Sequence, residues 1–218
     1  MTDLLLERVN TLSDNIVIID YKMGNLRSVK KAFEVNGCDV VISNENDVIK
    51  DADKIVLPGV GSFQDGMKNL YNLGLIDVLN QEVLQNKKPF LGICLGMHLI
   101  ARMGYENGET HGLSWVDAEV IKFYFERGAK DVKVPHVGWN SAEYLNHNDL
   151  FEGVDNKSDF YFVHSYHFKT NENIVTSSTN HGERFISSIQ KDNIYAFQFH
   201  PEKSQAAGLK IIQNFIQC

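Results

Sequence analysis

From Asn15 onward the apolar and polar positions fall into two textures. Residues 16–20 (IVIID) form a short β-branched run that stays apolar until its last position, the pattern of a strand buried on both faces. Leu26, Val29, Ala32 and Phe33 then recur at helical spacing until Gly37, which predicts a helix over 26–35. The same alternation predicts strands at 39–42, 54–57 and 90–94, and helices at 47–52, 63–70, 75–84 and 95–103. Beyond that point the texture changes. Residues 113–123, 132–144, 160–168, 174–178, 185–190 and 194–199 are strand-like with few helical intervals, and 209–216 closes as a helix. Strand–helix units with short connections build a parallel sheet crossed over by helices. The expected fold is therefore α/β: a mostly parallel twisted sheet with helices on both faces and an antiparallel extension on the same core. Residues 1–14 read as an N-terminal arm and 15–218 as one domain.

Composition narrows the partners. A chain of 218 residues with 43% apolar side chains can bury a proper core, and 22% charged with 11% aromatic excludes a disordered or collagen-like chain. Lys and Arg number 21 against 28 Asp and Glu, a net −7, whereas extended phosphate contact needs a basic surface. No apolar run approaches the roughly 18 residues of a membrane span. No nucleic acid, no membrane and a cytoplasmic location are expected. The three cysteines, Cys38, Cys94 and Cys218, are an odd set without CxxC spacing, so neither a disulfide framework nor a metal site is expected. Cys38 reads as a small buried hydrophobe and Cys218 as an exposed chain end.

Cys94 differs because of its neighbours. Gly92-Ile93-Cys94-Leu95-Gly96 stands where a buried strand passes into a helix, the arrangement of a nucleophile elbow with cysteine in place of serine. Glycines on either side remove the Cβ atoms that would collide in so tight a turn. The following helix would place its N-terminal amides near the sulfur and favour a thiolate. A thiolate needs a base, and His200-Pro201-Glu202 follows the last predicted strand. In an extended chain residues i and i+2 point the same way, so Glu202 can orient the His200 ring, which is triad logic. A third segment, Leu57-Pro58-Gly59-Val60-Gly61-Ser62-Phe63, also lies at a strand end. Its amides at Gly59, Val60 and Gly61 can complete an oxyanion hole with that of Leu95. It lacks the GK[ST] of a P-loop, and no cofactor is expected. All three segments fall at carboxyl ends of parallel strands, where open α/β sheets place their sites.

Taken together, LPGVGSF, LGICLGM and FQFHPEKS resemble the class I, triad-type glutamine amidotransferases. Asp20-Tyr21…Gly24-Asn25-Leu26, the segment PHVGWN from Pro135 to Asn140 and YFVHSY from Tyr161 to Tyr166 are similar to the glutaminase subunits of imidazole glycerol phosphate synthase, from about Ile16 to the C-terminus. The resemblance implies a flavodoxin-like glutaminase fold and hydrolysis of L-glutamine to glutamate and ammonia by Cys94, His200 and Glu202. It implies glutamine contacts at Gly59, Gly61, Leu95, His98, Glu106 and Ser165. It also implies a heterodimer with a (β/α)8 cyclase subunit (HisF-like), which would take the ammonia and dock on Asn25, Arg27, Pro135, Trp139, Tyr161 and Lys203.

Two departures from the usual pattern keep alternatives open. His98 stands where the family has glutamine in CLGMQ, and Lys22 stands where histidine-pathway members have glycine. A paralogous glutaminase feeding a synthase that modifies surface-polysaccharide sugars fits the same motifs, and so does a free-standing cysteine γ-glutamyl hydrolase. His98 is expected on the same helix face as Cys94, contacting the substrate amide and titrating near an ordinary pH 6–7.

Overall fold

The computed structural model describes residues 15–125, 132–147 and 149–218; the arm expected over 1–14 lies outside them. The first half runs β1 (Ile16–Ile19), α1 (Leu26–Val35), β2 (Val40–Ser43), α2 (Asn46–Asp51), β3 (Lys54–Gly59), α3 (Phe63–Asn72), α4 (Leu75–Leu79), β4 (Phe90–Cys94) and α5 (Leu95–Leu99). The second half holds β5 (Ala101–Gly104), β6 (Thr110–His111), β7 (Val116–Lys122), β8 (His136–Ser141), β9 (Glu143–Tyr144), β10 (Asp159–His164), β11 (Tyr166–Thr170), β12 (Val175–His181), β13 (Glu183–Lys191), β14 (Ile194–Phe197) and α6 (Gln205–Gln217).

One sheet of eight strands, ordered β2-β1-β3-β4-β14-β13-β12-β9, organises the whole. Its first five strands pair in parallel and the last three are added antiparallel, as the pattern along the chain predicts. The uninterrupted apolar run of β1 has a direct cause. Val17 and Ile19 enter the core on one face of the sheet, while Ile16 and Ile18 enter the core on the other. Helices cover both faces. Val29 and Phe33 of α1 pack with Ile211 and Phe215 of α6 on one side, and Ile49, Leu70, Leu75 and Val78 from α2, α3 and α4 pack on the other. No helix of the described residues is long and apolar enough to cross a membrane.

Three predicted spans are corrected. The helix expected over 95–103 stops at Leu99, and residues 101–104 become a strand. The carbonyls of Leu99, Ile100 and Ala101 accept from the amides of Leu113, Trp115 and Ser114, so partners distant in sequence override a helical periodicity. The strand expected over 160–168 breaks at Ser165. Its first part, β10, pairs with β8 in a two-stranded ribbon, while β11 joins a separate four-stranded sheet, β11-β7-β5-β6. The span 132–144 is shorter and divided, β8 starting only at His136 and β9 supplying the sheet edge. Smaller shifts occur elsewhere. α4 continues as a π-helical turn over Asn80–Gln85, and β3 extends through Pro58 to Gly59, which carries the Gly-rich loop to the edge of the site.

Candidate active site

Cys94 ends β4 with φ 53° and ψ −103°, a left-handed backbone that few side chains adopt. What permits it is the absence of side chains around it. A Cβ on Gly92 would meet the Gly96 backbone at 3.1 Å, and a Cβ on Gly96 would overlap the Leu57 carbonyl oxygen. The parallel register sets Gly59 opposite Cys94, so the Gly-rich loop leaves β3 beside the sulfur. Gly59 is in turn closely confined. A Cβ there would overlap the Tyr21 hydroxyl, and Gly24 approaches the Gly59–Val60 peptide from outside, its ideal Cβ position lying 3.3 Å from the Val60 nitrogen. The helix after the elbow is only Leu95–Leu99, so its dipole supports a thiolate less than the full-length helix expected from the sequence would.

His200 follows β14 and stands against the elbow. Its amide donates to the Tyr161 carbonyl, and its own carbonyl accepts from Ser204 Oγ, which also accepts from the Tyr161 amide. This stitching fixes the His200 backbone to β10. The ring nitrogen Nδ1 lies 2.8 Å from Glu202 Oε1, and both side chains are almost wholly buried. Burial alone would push the imidazole down, but the Cys94 sulfur and the Glu202 carboxylate outweigh it and raise His200 to about 10. Its Nε2 is buried without a hydrogen bond of good geometry, although the sulfur is near enough to act on the ring's charge. The arrangement can keep His200 protonated beside the sulfur at neutral pH and hand a proton from Nε2 to a leaving group.

A cavity of about 410 Å³ opens over this corner. Cys94, itself only 5% exposed, lines it together with Val60, Gly61 and Leu95. His98, Glu106 and Ser165 complete much of the wall, with Pro135 and Lys203 at the same opening. Gly59, His200 and Glu202 are not on its surface: Gly59 lies behind the loop, and the other two are buried beside the sulfur. One oxygen of Glu106 accepts from the Phe63 amide at 2.8 Å, tying the wall to the start of α3.

His98 lies on the cavity wall, where a substrate contact is expected, and has a second neighbour behind it. Its Nε2 sits 2.7 Å from Gln198 Oε1, and burial pulls its ionisation down to about 4. The ordinary titration near pH 6–7 expected from the sequence is therefore corrected: a buried imidazole loses more hydration on charging than Gln198 returns.

Residues expected at a partner surface fall into two groups. Trp139 and Tyr161 face each other across the β8–β10 ribbon with ring centroids 6.0 Å apart, and Lys203 Nζ stands 5.5 Å over the Tyr161 ring. Trp139 is 48% exposed, and Val137 on the same face is 56% exposed. Asn25 and Arg27 are exposed at the start of α1, where Asn25 Oδ1 accepts from the Ser28 amide as the helix cap. Pro135 lies between the ribbon and the cavity.

Sequence reasoning passed over three features. Tyr21 is wholly buried under Gly59, and its hydroxyl has no partner among the described residues. Gln198 touches Cys94 at 3.9 Å. His136 and His164 form a directional chain behind the ribbon. Asn140 Nδ2 donates to His136 Nε2 at 3.2 Å, His136 Nδ1 donates to His164 Nε2 at 3.0 Å, and His164 Nδ1 donates to the Tyr166 carbonyl at 2.8 Å. The fixed ends set both tautomers, and burial keeps both rings neutral, with His136 lowered to about 4. Both histidines lie inside motifs quoted above, but spacing alone carries no sign that their rings meet.

A model of the family described as "Glutamine amidotransferase class-I" matches residues 17–218. This chain belongs to the class-I glutamine amidotransferases. Among curated relatives of the family, imidazole glycerol phosphate synthase subunit HisH 1 of Campylobacter jejuni (strain RM1221) is 51% identical over 203 residues, covering 93% of this chain and 99% of its own. Subunit HisH of Aquifex aeolicus is 48% identical over 201 residues, covering 91% and 94%. Solved structures share the glutamine amidotransferase fold at lower identity. PurLQS from Thermotoga maritima superposes with a TM-score of 0.71 at 16% identity, covering 94% of this chain and 98% of that one. A GMP synthase subunit from Thermoplasma acidophilum does so with a TM-score of 0.70 at 19% identity, covering 94% and 93%.

Proposed function

We propose that this protein is the glutaminase subunit of an imidazole glycerol phosphate synthase, acting in histidine biosynthesis in the cytoplasm. The observation that carries the chemistry is the meeting, at the carboxyl ends of β3, β4 and β14, of Cys94 with a histidine already held by a carboxylate at 2.8 Å. The pathway assignment rests on relatives 45–51% identical over nearly their full length that carry this subunit's name. Those relatives favour the histidine pathway over a paralogue acting on surface sugars.

In this reading the Cys94 thiolate attacks the side-chain amide carbon of L-glutamine. The amides of Leu95 and the 59–61 loop receive the developing oxyanion. His200 gives its Nε2 proton to the departing ammonia, then takes one from water as the thioester is hydrolysed to glutamate. Glu202 keeps the ring oriented throughout. Glu106 and Ser165 hold the amino-acid end of glutamine in the cavity. The Trp139–Tyr161–Lys203 cluster, exposed at Trp139 and half-buried at the other two, docks a (β/α)8 cyclase together with Asn25, Arg27 and Pro135, forming a heterodimer in which the cyclase receives the ammonia.

The test is glutamine turnover by the purified chain alone and with the cyclase plus its ribonucleotide substrate. Turnover should rise by at least about 10²-fold in the complex, the size of effect that one oxyanion donor commands. Equal turnover by the chain alone would make it a free-standing hydrolase.

A further inference from the structure

Gln198 is an amide with 0% exposure between Phe197 and Phe199, in the turn that carries His200 to the elbow. Its Nε2 lies 3.9 Å from Cys94 Sγ, and its Oε1 lies 2.7 Å from His98 Nε2. An amide oxygen only accepts, so His98 carries its proton on Nε2 and donates it. That bond leaves the amide NH2 facing the sulfur. With the amide turned over, its oxygen would face a thiolate, a repulsive contact, and His98 would have to carry its proton on Nδ1 to accept from the NH2.

The sulfur has few other donors. The Val163 carbonyl, 4.0 Å away, can accept from a thiol but opposes a thiolate. Tyr21 is buried nearby, and charge on Cys94 disfavours its ionisation. His164, Glu106 and Lys203 reach the same cavity wall. Among these groups and the elements that carry them, His200 and Gln198 are the two whose N–H groups approach the sulfur.

We propose that Gln198 is a second hydrogen-bond donor to the Cys94 thiolate, acting beside His200, and that His98 is the positioning residue that keeps the amide nitrogen aimed at the sulfur. The role rests on the reading of Cys94 as nucleophile. It gives the histidine at position 98 a task that faces away from glutamine: holding a donor rather than touching substrate. It also makes good, from the side of β14, the electrostatic support that the short helix after the elbow does not supply.

The experiment is the pH dependence of iodoacetamide alkylation, followed at the Cys94 peptide by mass spectrometry so that Cys38 and Cys218 do not contribute. In Gln198→Met the alkylation midpoint should move up by about one pH unit, making the reaction about tenfold slower on its acidic side. Turnover of glutamine should fall in kcat with KM within about twofold. His98→Leu should shift the midpoint in the same direction by less, and His98→Gln, whose amide can donate to Gln198, should restore it. An unchanged midpoint in a Gln198→Met protein with native thermal unfolding overturns the proposal; should that variant not fold, the His98→Leu profile decides in its place. A raised KM with an unmoved midpoint in His98→Leu also overturns it, and assigns His98 to the substrate. Glutamine turnover by Cys94→Ala at the native rate would instead remove the nucleophile assignment, with the alkylation profiles of the other variants still readable.

Discussion

At the ends of β3 and β4 main chain is positioned against main chain: Gly59 lies opposite Cys94, Gly92 packs on Gly96, and Gly96 on the carbonyl of Leu57. Along β8, β10 and the turn after β14 the same job falls to side chains. Asn140, His136 and His164 are chained by ring nitrogens, Trp139 meets Tyr161 edge to face, and His200 is held by Glu202. The contrast teaches where each region is vulnerable. A backbone contact tolerates no added atom, whereas a hydrogen-bonded chain tolerates a change of shape better than a change of charge.

Three measurements would break or sharpen that comparison. The largest effect is expected at the sulfur. Cys94→Ala should lower glutamine turnover by at least about 10⁴-fold while thermal unfolding and partner binding stay native, because the backbone there depends on its glycines and not on the thiol. Next comes Gly96→Ala, one added methyl group directed at the Leu57 carbonyl. It should cost about 4 kcal/mol or more and show as a large fall in the unfolding midpoint or a loss of soluble protein. A native midpoint would mean that β3 can move away from the elbow.

The most gradual effect belongs to the imidazoles. Burial lowers both His98 and His136 to about 4 from an ordinary 6.5, so the unfolded chain binds more protons than the native one between those values. Their contribution is complete above pH 6.5 and is lost as pH falls toward 4, with a slope approaching about 1.4 kcal/mol per pH unit for each ring. His200, raised to about 10, slopes the other way: its contribution is complete below 6.5 and is lost as pH rises through 10. Urea unfolding should give stability that rises from pH 4.5 to about 6.5, where His98 and His136 set the slope, and falls from there to 7.5, where His200 does; a flat profile would mean that the buried rings titrate normally.

The same division explains what could be read from sequence. Strands buried on both faces, such as residues 16–19 and 90–94, announce themselves by unbroken apolar runs, and the elbow and Gly-rich loop by glycines at fixed offsets. Those signals are local because the constraint is local. The strand at 101–104 is hidden because its partners lie six or more residues downstream, in β6 and β7, and the break at Ser165 because alternation along β10 and β11 says nothing about which sheet each joins. Most candidate site residues stand inside recognisable motifs, Arg27 and Glu106 being outside them. Gln198 did not stand out, since a glutamine between two phenylalanines becomes informative only when Cys94 and His98 are found on either side of it.

The meeting of Gly24 with the Gly59–Val60 peptide bears on how the loop after β1 and the Gly-rich loop influence each other. No side chain intervenes at that contact, and Gly24 has φ +100°, so neither a rotamer change nor a lost hydrogen bond can carry a message across it. Whatever passes between the two loops must be a bodily shift of main chain. An alanine scan of the surrounding side chains would report the region as silent, and a crosslink or a nuclear-spin label on the backbone would be needed to hear it.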